Sequence, residues 1–157
     1  MEPVRKDKAE VTARLALAER ACAARGARLT ANRRDVLGVI LKAKAPVTAY
    51  VLLDRLKLSH PGAVPPTVYR ALDFLMEQGF VHKVERLNAY VGCVEEASHP
   101  HDHPVQFLIC RDCGGVIEVE DDKIAEALDH AAKRTGFTPV HATVEVEGTC
   151  EDCASFA

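Results

Sequence analysis

Apolar residues recur at helical spacing through the first half of this chain and alternate through much of the second. Val11, Leu15, Ala18 and Cys22 share one face of a predicted helix from about Lys8 to Arg25, which Gly26 ends. Thr30 is placed to cap a second helix that reaches about Ala43 and turns Val36, Leu37, Ile40 and Leu41 inward. Pro46 breaks the chain, and Thr48 caps a third helix with Val51, Leu52 and Leu56 inward. Ser59-His60-Pro61-Gly62 has the composition of a turn. Pro65-Pro66-Thr67 then opens a fourth helix that Gly79 stops, because proline suits the first helical turn and glycine the position past the last. Its apolar stripe is Val68, Leu72, Leu75 and Met76, which leaves Tyr69, Arg70 and Asp73 pointing elsewhere.

Phe80 to Arg86, a turn around Asn88, and Ala89 to Cys93 predict a β-hairpin. Helices followed by a recognition helix and a hairpin predict a winged helix-turn-helix domain over residues 1–94. Residues 95–104 are polar, rich in histidine and hold two prolines, so they are expected to form a hinge. Residues 105–157 predict a small α/β domain. Phe107-Leu108-Ile109 and Val116–Glu120 suit strands, and Asp122 to about Arg134 suits a helix with Ile124, Leu128 and Ala131 on one side. Val140 to Glu147 alternates with period two, setting Val140, Ala142, Val144 and Val146 on one face. The expected fold class is α+β. A second domain of roughly fifty residues is small for independent stability, so a metal or a partner subunit is expected to help hold it.

Charge divides along the same line. Residues 1–88 hold 16 Lys+Arg against 9 Asp+Glu, whereas residues 89–157 hold 4 against 14. The first half is suited to approach a polyanion and the second is not. The overall balance of −3 hides this. The first ten residues are charged and lack an apolar run, so neither a secretory signal nor a membrane anchor is expected there, and the expected location is cytoplasmic.

Four of the six cysteines form two C-x-x-C units, Cys110-Arg111-Asp112-Cys113 and Cys150-Glu151-Asp152-Cys153. Four thiolates suit the tetrahedral preference of Zn²⁺, and two intervening residues let a tight turn present both sulfurs to one ion. Gly114-Gly115 supplies flexible backbone after the first pair. The long separation of the two pairs implies that a β-α-β unit lies between them, so a structural zinc would staple the first strand to the end of the chain. Redox pairs and disulfides are the competing readings; neither unit sits at a thioredoxin-like strand-to-helix junction, and disulfides are rare in a reducing cytosol. Cys22 reads as core.

A second group is His82, Cys93, His99, His101, His103 and Glu118. Imidazole, thiolate and carboxylate together suit Zn²⁺, and the sulfur argues against Mg²⁺ or Ca²⁺. Solvated linker histidines, a buried thiol and a surface carboxylate are the alternative reading of the same residues.

Leu29-Thr30 with Arg33, Pro66-Thr67-Val68-Tyr69-Arg70-Ala71-Leu72, Gly79-Phe80-Val81-His82-Lys83, and Phe107-Leu108-Ile109-Cys110 through Cys113-Gly114 resemble the ferric uptake regulator family. The run from Pro65 to Tyr90 looks most like its zinc uptake regulator branch, and the resemblance extends from about residue 8 to Cys153. It implies a zinc-responsive repressor that binds double-stranded operator DNA as a homodimer and controls zinc uptake genes, with one or two dimers per operator. It implies a structural zinc on Cys110, Cys113, Cys150 and Cys153. It implies a regulatory zinc on His82, Cys93, Glu118 and either His101 or His103; counting from Cys93 selects the first, and counting back from Cys110 selects the second. Tyr50, Thr67, Tyr69 and Arg70 would face DNA, and Asp54 with Arg55 or Lys57 resembles the place where neighbouring dimers pair. A further metal site using a linker histidine and His141 is a weaker implication. An iron or peroxide sensor of the same family is the alternative within it. A zinc-stapled protein-interaction module and a zinc hydrolase are alternatives outside it, and no H-E-x-x-H motif supports the hydrolase. No enzymatic activity is expected.

Overall fold

A computed structural model describes residues 8–93 and 105–156. The predicted hinge at 95–104, with His99, His101 and His103, lies outside the described residues. The chain divides into two compact units, Met1–Pro100 and His101–Ala157. Its class is α+β.

The first unit runs α1 (Lys8–Ala24), α2 (Ala31–Lys42), β1 (Val47–Thr48), α3 (Ala49–Ser59), α4 (Pro65–Glu77), β2 (Val81–Val84) and β3 (Ala89–Gly92). The strands form an antiparallel sheet in the order β1-β3-β2. One core joins Val11, Ala18 and Cys22 of α1 to Val36, Leu37, Ile40 and Leu41 of α2, Leu52 and Leu56 of α3, and Val68, Leu72 and Leu75 of α4. Each such aliphatic side chain removed from water contributes about 1.5–3 kcal/mol. Local signals agree with this packing. Thr48 caps α3 by accepting from the Val51 N–H at 3.3 Å. Gly79, at φ 78°, reverses the chain after α4, with the Phe80 N–H donating to the Leu75 carbonyl. A short 3-10 turn (Glu85–Leu87) precedes Asn88, whose left-handed φ of 45° closes the hairpin.

The second unit runs β4 (Val105–Cys110), β5 (Val116–Val119), α5 (Asp122–Arg134), β6 (Thr143–Gly148) and α6 (Glu151–Ala154). Its sheet has the order β5-β4-β6, with β4 antiparallel to β5 and parallel to β6. The parallel pair needs a crossover, which α5 supplies. Asp121 caps α5, accepting from the Lys123 N–H at 2.8 Å.

Several expectations need correction. Val51 is half-exposed, because α3 buries only the narrow stripe of Leu52 and Leu56. Val140 is fully exposed and lies outside β6; pairing with β4 starts only at Val105 opposite Thr143. Thr30 occupies the cap position of α2 without a side-chain cap bond. Ile124, Leu128 and Ala131 face one way on α5, yet no residue of that helix is buried within the chain. The two-residue β1 and the four-residue α6 were too short for periodicity to reveal.

Candidate metal centres and nucleic-acid interface

The four cysteines of the C-x-x-C units converge, with all four sulfurs within 4.8 Å of one another. Strand pairing brings them together. Cys110 ends β4, and the Arg111 N–H continues the β4–β6 ladder by donating to the Gly148 carbonyl at 2.9 Å. That bond sets Cys150 beside Cys110, and one turn of α6 then returns Cys153. The Cys110–Cys113 pair closes as a tight turn: the Gly114 N–H donates to the Cys110 carbonyl and the Cys110 N–H to the Gly115 carbonyl, both at 2.9 Å. Gly114 takes the left-handed φ of 70° that this turn demands.

The donor set fits a tetrahedral ion. Metal–sulfur bonds of about 2.3 Å require sulfur–sulfur edges of about 3.8 Å, and Cys113 Sγ lies 3.9 Å from Cys150 Sγ. Backbone amides already favour anionic sulfur. The Cys150 N–H donates to Cys110 Sγ and the Gly115 N–H to Cys113 Sγ, each at 3.4 Å. The Cys150 amide, helped by that of Cys113, lowers the Cys110 thiol to about 6. At Cys113 the Gly115 amide pulls downward, but the adjoining Cys110 and Cys150 sulfurs leave the net shift upward. The Cys153 thiol is raised, first by Cys150. Four crowded sulfurs cannot all ionise without a cation among them.

In the first unit His82 and Cys93 also meet. His82 pairs with Val91 across β2 and β3, and the Cys93 N–H donates to the Phe80 carbonyl at 3.0 Å. Phe80, His82, Val91 and Cys93 therefore share one face of the hairpin, with His82 and Cys93 as diagonal neighbours. Both are buried, and their ligand atoms lie within 4.8 Å of each other. Glu118 is half-buried on β5 of the second unit, opposite Phe107. His141, exposed just before β6, has its Nε2 at 3.1 Å from the Thr143 hydroxyl.

The first unit also positions the four residues expected to face DNA. Burial of Val68, Ala71, Leu72 and Leu75 turns Tyr69 and Arg70 outward on α4, and Tyr50 stands exposed at the start of α3. Thr67 is half-buried, and its hydroxyl accepts from the Val64 N–H at 3.1 Å, so this side chain helps start α4. Asp54, Arg55 and Lys57 are exposed on α3.

Three supports of these elements were not anticipated. His60 Nε2 lies 2.7 Å from Asp35 Oδ2, and the Ser59 hydroxyl donates to the same oxygen at 3.1 Å. These contacts tie the turn before α4 to α2. The Arg33 guanidinium stacks 3.7 Å from the Phe74 ring centre and ties α2 to α4 directly. The Arg14 side chain donates to the Cys93 carbonyl. No sequence spacing signals such long-range pairs; only the turn composition around His60 hinted at their place.

Among the described residues, no helix is long and apolar enough to cross a membrane. The sequence profile of the Ferric uptake regulator family matches residues 24–147. The zinc uptake regulation protein of Escherichia coli (strain K12) is 44% identical over 142 residues, covering 88% of this chain and 80% of that protein. The protein of the same description from Mycobacterium tuberculosis (strain H37Rv) is 32% identical over 135 residues, covering 84% and 98%. Among solved structures, a zinc uptake regulator complexed with zinc and DNA superposes with a TM-score of 0.88 at 42% identity, covering 93% of this chain and 96% of that one.

Proposed function

This chain belongs to the ferric uptake regulator family, and we propose that it is a zinc-responsive transcriptional repressor that binds operator DNA as a homodimer and controls zinc uptake genes. The observation that carries this reading is the juxtaposition of His82 and Cys93 on one face of the hairpin in a helix-turn-helix unit. A thiolate beside an imidazole favours zinc over the oxygen-rich sites of Mg²⁺ or Ca²⁺. The likeness to a regulator complexed with zinc and DNA supports the same conclusion.

Two sites divide the work. Cys110, Cys113, Cys150 and Cys153 hold a structural zinc that staples β4 to α6. His82, Cys93, Glu118 and either His101 or His103 would hold the regulatory zinc, which would supply a common anchor for them when bound. Because these ligands come from both domains and the linker at 95–104, their common engagement restricts how the domains swing. A ligand shifts such an equilibrium only by its preference for one arrangement. Here the favoured arrangement sets two α4 helices at the spacing of successive major-groove half-sites.

A reading head for DNA follows from exposure and charge. Arg70 reaches a guanine edge with its paired N–H donors, Tyr50 and Tyr69 flank the groove, and Thr67 lies at the phosphate-facing start of α4. The surplus of basic residues before position 89 supplies the sequence-independent attraction. The second domain supplies the dimer contact. Leu108, Ile117 and Val146 form a cross-strand row on one sheet face, and each is about half-exposed. Ile124 and Leu128 on α5 are uncovered too. A partner subunit is the occupant that such a small domain needs. Where two dimers share an operator, Asp54 meets Arg55 or Lys57 of the neighbour. The protein acts in the cytoplasm and turns over no substrate.

Cys93→Ser tests the assignment. Operator binding by the variant should lose its response to free Zn²⁺ while about one zinc per chain stays bound. Retention of the full zinc response would remove Cys93 from the sensor and reopen iron or peroxide sensing.

A further inference from the structure

Cys93 directly follows the last residue of β3, a position at which a hairpin would ordinarily fray. Its backbone is instead held from three directions. Its N–H donates to the Phe80 carbonyl at 3.0 Å. The preceding Gly92 lies so close to α2 that an added Cβ would come within 2.8 Å of Leu41 Cδ2. The Cys93 carbonyl accepts from the guanidinium of Arg14, a residue 79 positions earlier on α1. That helix is itself anchored, since Val11, Ala18 and Cys22 on its inner face are buried in the core of the unit. Arg14 is half-buried, its stem along the unit and its head on the Cys93 carbonyl.

We propose that Arg14 is a positioning residue for the regulatory zinc site: from α1 it fixes the Cys93 backbone so that the thiol stays on the His82 side of the hairpin. The inference rests on the assignment of His82 and Cys93 to that site. The Cys93 side chain has little room to compensate by rotation. Cys93 has a single side-chain torsion before its sulfur, so the placement of its Cα decides where the ligand atom sits. Losing the Arg14 donor removes one of the restraints on the Cys93 backbone and so loosens the placement of its Cα. Groups that orient metal ligands without touching the metal typically change metal affinity by roughly 10–100-fold when removed. The same contact makes α1 part of the sensor, because the helix meets the end of the hairpin through this side chain.

The test uses the full-length dimer with its four-cysteine site loaded. Affinity for the second zinc is measured by competition against a chromogenic chelator for the unaltered protein, Arg14→Ala, Arg14→Gln, Arg14→Lys and Cys93→Ser. Co²⁺ spectra of the second site report on its thiolate bond. Arg14→Ala and Arg14→Gln should bind the second zinc roughly tenfold or more weakly and alter the thiolate-to-cobalt charge-transfer band. Arg14→Lys, which keeps a long cationic donor, should recover part of both. Thermal unfolding separates a merely structural role: a lowered melting temperature with unchanged second-site affinity and spectrum in Arg14→Gln overturns the proposal. Cys93→Ser identifies the level of any failure. If it abolishes the second site while the Arg14 variants behave like the unaltered protein, the positioning role is wrong and the ligand assignment stands. If it leaves the second site intact, the assignment itself is wrong and the proposal goes with it.

Discussion

Removing one sulfur from the four-cysteine cluster should unfold the second unit and spare the first. The two units differ in what holds them. The core of the first unit is a contiguous apolar cluster drawn from all four of its helices and from its sheet. Among the described residues of the second unit, the buried ones lie on β4 alone: Gln106, Phe107, Ile109 and Cys110. Phe107 and Ile109 together contribute about 3–6 kcal/mol of burial. A structural zinc contributes an apparent ~10–16 kcal/mol near neutral pH, and that is folding free energy, because no preformed site exists in the unfolded chain. The metal is thus the larger contribution, even allowing for the apolar surface that a dimer partner would cover. Cys153→Ser removes the link from α6, which buries no residue and has little else to hold it. Hydrogen–deuterium exchange read by mass spectrometry resolves the two units. Peptides from residues 105–156 should lose protection in Cys153→Ser, and in the unaltered protein after stripping by a strong chelator. Peptides from residues 29–92 should keep theirs. Undiminished protection over residues 105–156 in zinc-free protein would refute the reasoning, because burial alone would then suffice.

Two further outcomes follow from the geometry. Arg70→Ala should cost about 1–3 kcal/mol of discrimination between operator and mutated operator, measured by competition binding at fixed salt; equal loss on both sequences would make Arg70 a phosphate contact instead. Loading the four-cysteine site should release protons, because the Cys113 and Cys153 thiols are both shifted upward in the metal-free cluster. Thiols must ionise to bind, so affinity falls as pH falls, by roughly tenfold per pH unit for each proton released. Calorimetry in buffers of different ionisation enthalpy checks the count, and zero net release would mean that the thiols are already anionic.

The winged unit was legible because its signals were redundant. The stripe from Val68 to Leu75, the prolines opening α4 and Gly79 closing it all predict the same helix, and the core packs on that stripe. The four-cysteine cluster was legible because two C-x-x-C units admit few other chemistries. What escaped was whatever depends on tertiary register. Val140 continued the alternation on paper, but strand pairing with β4 decides where β6 begins. The spacing along α5 predicts its apolar face, yet none of the described residues buries that face. The contacts of Arg14, Arg33 and His60 link residues far apart in sequence or on different helices, so no local pattern announces them. Cys93 reads equally as core or ligand in sequence; only the hairpin register puts it beside His82.

The central claim is that a second zinc, distinct from the staple, switches DNA binding. It is tested most directly by titrating a zinc-uptake promoter fragment with the protein across buffered free Zn²⁺, with Fe²⁺ and Mn²⁺ as controls, while bound zinc is quantified in the same samples. The account predicts that about one zinc per chain stays bound throughout and that operator affinity rises only as the second zinc binds, with neither control metal substituting. Affinity that is flat across free Zn²⁺ would contradict it, leaving a DNA-binding protein with a structural zinc and a different signal.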